Sequence, residues 1–311
     1  MPSSKSGHLP SPFPLKWRGA GGEAMIRKIS LFGDILVDLV KTGETFAPQP
    51  GGSIFNTAIT AAGSGYDVNF ISQIGDDYWG GYLLNVCRSL KIGTDNIFLS
   101  DKTKTSLAFA ILDEHGNAKY DFYKAQERHD FDPNVLSGSS LFHFGSTFSL
   151  MPHNRDNIMR FVTFCRENGI LISYDPNCRP NSDVEMMKKW CTMADIVKMS
   201  EEDMRYIYPN MSVFDGAMTI LSNGAKLVVV TLGSKGAVAY TAESMGYAPC
   251  QNTDKPIKNT IGAGDNFTAG LIEYIIAHNI LTADALSAMP EDQLTQLCVS
   301  GNEASLKHLT K

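Results

Sequence analysis

Asp265 is the residue from which a reaction can be built. It stands in the run Asn259-Thr260-Ile261-Gly262-Ala263-Gly264-Asp265-Asn266-Phe267-Thr268-Ala269-Gly270, where two glycines and a carboxylate open an apolar series. Phe267, Leu271, Tyr274, Ile275 and His278 recur at three- and four-residue steps, which predicts a helix with one buried face. Gly262 and Gly264 then fall in the loop and first turn, whose amides find no partner inside the helix. Such a terminus attracts anions through those amides and the positive end of the helix dipole. A carboxylate beside an anion hole repels a bound phosphate unless it has a task. Accepting a hydroxyl proton during phosphoryl transfer is such a task. The same residues also read as a glycine turn with an acidic helix start. They are not a dinucleotide fingerprint, which needs a third glycine and an incoming strand, nor a P-loop, which needs Gly-Lys-Ser/Thr.

Other residues of similar promise are scattered along the chain. Asp38 interrupts the apolar stretch Ile35 to Val40, as an edge-strand acid or a ligand. Pro50-Gly51-Gly52-Ser53-Ile54-Phe55-Asn56 leads into a helix containing Ala58, Ile59, Ala61 and Ala62. Its two glycines again expose amides, and Asn56 offers a donor and an acceptor to a hydroxylated ligand. Asp175-Pro176-Asn177-Cys178-Arg179-Pro180 follows the apolar run Ile170 to Tyr174, and Thr231-Leu232-Gly233-Ser234-Lys235-Gly236 closes the β-branched run from Leu227.

The elements that must position these residues alternate between strand and helix. Apolar runs at 26–32, 68–74, 140–144, 170–174, 195–199 and 227–231 read as buried strands. Helical stretches at 78–90 and 154–167 separate some of them. In open sheets of this kind, ligands bind outside the carboxyl ends of the strands. That is where Asp175 and Arg179 fall. The rhythm breaks between Ser106 and Lys124, where two extended runs flank Asp113-Glu114-His115-Gly116-Asn117. This hairpin suits a separate small sheet, with His115 in a solvated turn. Ser200-Glu201-Glu202-Asp203 reads foremost as a helix start whose acids complement the dipole.

A chain of 311 residues can bury a sizeable core. Its net charge of −6 and lack of a lysine-arginine run argue against nucleic acid as partner. No stretch approaches the roughly eighteen apolar residues of a membrane span. The six cysteines show neither C-x-x-C nor zinc spacing, and imply reduced thiols in the cytoplasm. Residues 1–24 are rich in Pro, Gly and Ser without a signal-peptide core, and are expected to be a disordered extension.

Five segments in one order, namely the Asp265 motif, Gly51-Gly52 with Asn56, the Asp175–Pro180 run, the Thr231–Gly236 run and the Ser106–Lys124 hairpin, resemble the ribokinase-like, or PfkB, family of sugar and nucleoside kinases. The Gly43-to-Gly52 spacing, Asp175-Pro176-Asn177-x-Arg179 and Asp121-Phe122-Tyr123-Lys124 look most like its fructokinase branch. The resemblance implies an α/β three-layer sandwich over 25–311, with a mostly parallel doubly wound sheet and a small β-sheet lid. The lid would come from about 34–50 and 105–125.

The resemblance also implies roles. Asp265 corresponds to the catalytic base, and the Gly262, Ala263 and Gly264 amides to the anion hole. Asp38, Gly51, Gly52, Asn56 and Tyr123 correspond to the sugar site, with Arg179 meeting a phosphate. Thr231, Gly233, Gly236, Gly264 and Asn302 correspond to the nucleotide side. ATP and Mg²⁺ follow as co-substrate and metal, with Asp203 the metal-side acid. Asn259 stands where the family usually has Asp, which leaves K⁺ activation open, and Ser200 with Asp203 stands where it has the Asn-x-x-Glu that organises magnesium waters. The expected activity is phosphorylation of a monosaccharide hydroxyl, with fructose first. The alternatives are 2-keto-3-deoxygluconate, for whose carboxylate Lys124 or Arg128 could serve, ribose, and a non-catalytic sugar- or nucleotide-binding regulator. A homodimer through the lid would cover the hairpin's edges.

Overall fold

The computed structural model describes residues 27–112, 118–255, 257 and 260–310. The expected 1–24 extension, the His115 turn and Asn259 lie outside them. In chain order the first strands are β1 (Lys28–Phe32), β2 (Leu36–Thr42), β3 (Thr45–Gly51), β4 (Asp67–Gly75), β5 (Ile97–Ser100), β6 (Leu107–Leu112) and β7 (Ala118–Tyr123). They are followed by β8 (Ser139–Gly145), β9 (Leu171–Asp175), β10 (Ile196–Ser200), β11 (Leu227–Thr231), β12 (Ala237–Tyr240) and β13 (Met245–Ala248). The helices are α1 (Ser53–Gly63), α2 (Tyr78–Ser89), α3 (Pro152–Asn168), α4 (Val184–Met193), α5 (Glu201–Ile207), α6 (Val213–Ser222), α7 (Ala263–Ala277), α8 (Ala283–Ser287) and α9 (Glu291–Leu309).

Nine strands form one sheet in the order β13-β12-β11-β10-β9-β8-β1-β4-β5. It is parallel from β5 to β11 and ends in antiparallel β12 and β13. The chain enters at β1 and builds outward both ways, so the order reverses between β1 and β8. Crossover connections leave that point in opposite directions, which opens a crevice at the carboxyl ends of the strands.

Successive strand residues point to opposite faces. Ile29 and Leu31 join α1, α2, α7, α8 and α9 in one apolar layer. Phe32, Phe142, Phe144, Ile172 and Tyr174 join α3 to α6 in the other. This is a three-layer α/β architecture. The short edge strands β5 and β13 fall outside the apolar runs of the sequence, and each buries two of its four residues.

A second sheet, in the order β3-β2-β6-β7, is separate. It consists of the hairpins β2–β3 and β6–β7 joined through parallel β2–β6 pairing.

Helix α7 is unlike the others: every residue from Asp265 to Ile276 is buried, between α1 and α9. Each fully buried Leu, Ile or Phe contributes about 1.5–3 kcal/mol, so the helix start is held firmly. Glu273, two turns beyond Asp265, is carried inside with it. Burial pushes the Glu273 carboxyl up to about 7, and its Oε1 accepts no hydrogen bond among the described residues. A raised carboxyl stays protonated in the fold while the unfolded chain ionises near 4.5, so stability falls as pH rises from about 4.5 to 7 and then levels. The size is on the order of 3 kcal/mol. Glu273→Gln should therefore melt above the parent at pH 8 and with it at pH 4.5. Equal melting at both pH values would contradict this account.

Candidate active site

A cavity of about 1230 Å³ lies between the inner face of the small sheet and the crevice of the large one. Its floor is made by the carboxyl ends of the parallel strands: Asp34 after β1, Ser146 and Thr147 after β8, Asp175 on β9, Ser200 on β10 and Thr231 on β11. The head of α7 supplies Gly262, Ala263, Gly264 and Asp265.

Asp265 is 8% exposed, and both of its oxygens are held. Ser53 Oγ donates to Oδ1 at 2.7 Å, and Asn56 Nδ2 donates to Oδ2 at 2.8 Å. Both donors come from the first turn of α1, and Thr57 Oγ1 donates to the Asp265 carbonyl at 3.1 Å. Burial raises the Asp265 carboxyl above the ordinary carboxylate range, against the pull of Asn56 and Ser53. Each carboxylate oxygen keeps a lone pair for an incoming hydroxyl.

The helix start itself has no side-chain cap, and Gly262 adopts a left-handed φ of 76°. The Ala263 amide faces the Thr260 carbonyl at 3.2 Å, so of the three expected anion-hole amides it already has a partner. His308 on α9 props the turn, with Nε2 2.9 Å from the Ile261 carbonyl.

Beneath the loop lies a buried ion pair. Lys198 Nζ on β10 is 2.9 Å from Asp175 Oδ2, and Thr268 Oγ1 donates to the same oxygen at 3.0 Å. Burial alone would lower the Lys198 ammonium, but Asp175, with Asp203 and Asp265 beside it, outweighs burial and holds it above the ordinary lysine value. A Cβ on Gly264 would come within 3.2 Å of Lys198 Nζ, so glycine lets the loop rest against this cation.

At the small sheet, Gly51 and Gly52 work in different ways. A Cβ on Gly51 would lie 2.3 Å from Asp38 Oδ2, so Asp38 stands directly over bare backbone. Gly52 has φ 114°, and its Cβ would lie 2.3 Å from the Asp34 carbonyl oxygen. Asp38 lines the cavity, and its carboxyl is pushed up to about 6 by burial, then by Asp34 and Asp265, against Lys124. Lys124 Nζ pairs with Asp34 Oδ2 at 2.7 Å.

Tyr123 is corrected here. It is 65% exposed on the outer face of β7, edge-on to Phe109. Strand alternation turns Tyr120 and Phe122 to the cavity instead. Arg128 also stands away from the cavity, near Asp130 and Asp156.

At the far end, Thr231, Gly233, Gly236 and Asn302 line the cavity together. Asn302 Nδ2 donates to the carbonyls of Ala248 and Pro249, both at 3.2 Å. Arg179 lies between the two ends, with Nη1 donating to Asn177 Oδ1 at 2.6 Å.

Asp203 is held in place by the start of α5. Its Oδ2 accepts from the Ser200 amide and hydroxyl at 2.9 and 2.8 Å, and its Oδ1 accepts from the Cys178 amide at 2.7 Å. It closes a capping box at α5 and also lines the cavity. Among the described residues no three His, Cys, Asp or Glu side chains gather as a metal cage. Glu202 next to it lines the cavity. That suits Mg²⁺, which keeps its waters and binds through phosphates and one or two carboxylates.

Sequence reasoning missed Ser53, Lys198, Tyr120 and His308. Ser53 carried a signal, since it adjoins Gly52 at a helix start. Lys198 carried none, because a lysine inside a strand gives no hint of its buried partner.

The chain also resembles known proteins. Residues 22–288 match the model of the pfkB family carbohydrate kinases. A fructokinase from Rhizobium leguminosarum bv. trifolii is 30% identical over 279 residues, covering 84% of each chain. Probable fructokinase-3 from Arabidopsis thaliana is 28% identical over 267 residues, 79% of this chain and 76% of that one. Among solved structures, a fructokinase with bound ATP from Xylella fastidiosa superposes with a TM-score of 0.82 at 25% identity, covering 92% of this chain and 93% of the other. An aminoimidazole riboside kinase from Salmonella enterica shares the fold, with a TM-score of 0.75 at 22% identity over 92% and 94%.

Proposed function

We propose that this chain, which belongs to the pfkB family of carbohydrate kinases, transfers the γ-phosphoryl group of ATP to a primary hydroxyl of a ketohexose, with fructose first. The observation that carries this reading is Asp265 itself: a buried carboxylate gripped by Ser53 and Asn56, facing the cavity beside an uncapped helix start. The relatives named as fructokinases support the sugar, as the fructokinase with bound ATP supports the nucleotide.

In the proposed step the sugar oxygen forms a bond to the γ-phosphorus while the bond to the ADP oxygen breaks. Asp265 takes the hydroxyl proton. Gly262, Gly264 and Lys198 line the cavity, so the amides at the start of α7 and the Lys198 ammonium face the charge that develops on the transferring group. Asp38 and Asn56 hold sugar hydroxyls, over backbone that Gly51 and Gly52 leave open. Thr231, Gly233, Gly236 and Asn302 hold the nucleotide, and Arg179 a phosphate. Bound Mg²⁺ would neutralise phosphate charge, carried by the phosphates and water, with Glu202 and Asp203 as the carboxylates on that wall. The four-stranded sheet acts as a lid that keeps water from the γ-phosphate.

A neutral sugar fits better than an acid sugar. Lys124 is neutralised by Asp34, Arg128 stands outside, and Asp34 and Asp38 make the sugar end acidic. The outer face of the lid leaves Phe46, Ile111 and Tyr123 exposed, which supports a homodimer through that face. The six free cysteines support a cytoplasmic setting.

ADP release measured over a panel of fructose, ribose, 2-keto-3-deoxygluconate and aminoimidazole riboside, with and without K⁺, tests the assignment. Fructose should give the highest kcat/KM. Preference for the acid sugar would reverse the argument from Lys124, and no turnover with any sugar would sink the kinase reading.

A further inference from the structure

Four side chains form an unbroken line from one wall of the cavity to Asp265. Arg179 Nη1 donates to Asn177 Oδ1 at 2.6 Å, Asn177 Nδ2 donates to Ser53 Oγ at 2.7 Å, and Ser53 Oγ donates to Asp265 Oδ1 at 2.7 Å. The members come from the segment after β9, the start of α1 and the head of α7. At the second and third links the partners are 124 and 212 residues apart in sequence.

The direction of each bond is decided by chemistry. A guanidinium has only donors, so Asn177 must turn its carbonyl oxygen to Arg179 and its amide to Ser53. Ser53 Oγ then accepts a hydrogen bond from Asn177. A carboxylate can only accept, so the single Ser53 proton goes to Asp265. All three donors point the same way, from the cation to the carboxylate, and bonds aligned in this sense reinforce one another. The backbone helps to hold the middle of the line. Asn177 has a left-handed φ of 40°, a conformation asparagine tolerates, and its amide donates to Asp175 Oδ1 at 3.3 Å.

We propose that Ser53 and Asn177 are positioning residues for the phosphoryl transfer, which link Arg179 to Asp265 and keep the carboxylate ionised and correctly aimed. The proposal rests on Asp265 being the base of the reaction above. Asn56 alone would fix one oxygen and leave the carboxylate free to turn about its Cβ–Cγ bond. Ser53 supplies the second point, and Asn177 keeps the Ser53 hydroxyl from rotating away. Polarisation from Arg179 favours the charged carboxylate. Other charged or titratable groups face Asp265 as well: Asp175 on β9, Lys198 on β10, Asp38 on β2 and Tyr120 on β7. None of these is bonded to the Asp265 oxygens, so they act as a background that variants of Ser53 leave in place.

The test is the pH dependence of kcat/KM, with the unliganded carboxyl followed separately. A base works only when deprotonated, so activity falls on the acid side. Losing a hydrogen bond to a charged group should raise that limb by about one to two pH units and lower kcat/KM at pH 6 by about 10–100-fold in Ser53→Ala. Asn177→Ala should shift the limb the same way. The double variant should shift it no further than Ser53→Ala alone, because the two act through one line. Ser53→Thr, which keeps the hydroxyl, should restore the parent profile. Carbon-13 NMR of labelled aspartate in the unliganded protein should show the same rise for Asp265, without any turnover. An active parent whose acid limb and Asp265 titration do not move in Ser53→Ala would overturn the proposal. An inactive parent would instead refute the kinase reading, while the NMR titration would still judge the hydrogen-bonded line.

Discussion

Asp265→Asn is expected to lower kcat by about 10²–10⁴-fold while the KM for the sugar changes little. Asparagine has nearly the same shape and still accepts from Ser53 or Asn56 through its one carbonyl oxygen. It cannot take a proton, so the loss falls on the transfer step, and binding persists. The amides and the Lys198 ammonium still face the phosphate, so residual activity above the uncatalysed rate should remain. In the parent the acid limb of the rate should lie above the ordinary carboxylate range, because burial raises Asp265 despite its two donors. Rapid-mix measurement of the first turnover separates transfer from product release. Parent-like turnover in Asp265→Asn would remove Asp265 from the role of base and leave it a structural acid.

Lys198→Ala should cost about 3–5 kcal/mol of stability, the largest expected from one substitution outside the apolar core. The Lys198 and Asp175 side chains are only 5% and 3% exposed, and their nitrogen and oxygen lie 2.9 Å apart. Removing the lysine leaves a carboxylate in the interior with Thr268 and the Asn177 amide as its remaining donors. The pair also supports the anion loop at Gly264, so phosphate binding should weaken alongside stability. Urea unfolding measures the first effect, and ADP titration of the folded variant the second. Combining Lys198→Ala with Asp175→Asn should recover part of the lost stability, since no isolated charge remains. A single variant within about 1 kcal/mol of the parent would mean that Asp175 is relieved by water or by taking up a proton.

The alternation of strand and helix, the carboxyl-end position of Asp175 and Arg179, and the glycine-bounded helix start at Asp265 were all legible in the chain. Periodicity is a local property, and glycine and carboxylate types at short spacing already restrict what a helix start can do. The extra hairpin was legible too, because two extended runs around a turn break the helical rhythm. Tyr123 shows the limit. A hairpin's register decides which side of each strand faces inward, and a shift of one residue exchanges the two faces. Here Phe122 faces the cavity and Tyr123 the outside. Asp203 shows another, since spacing alone does not say whether an acid three residues after a serine closes a cap, as it does here.

By itself the sequence determined that this protein has an α/β fold with a glycine-opened helix start and a carboxylate at its edge. Those features depend on residues close together in the chain. Only the tertiary structure decided what surrounds that carboxylate. Ser53 and Asn56 reach Asp265 from more than two hundred residues away, and Lys198 meets Asp175 across neighbouring strands. Such contacts follow from strand order and helix packing, which bring distant side chains within 3 Å of one another and leave no trace in local spacing.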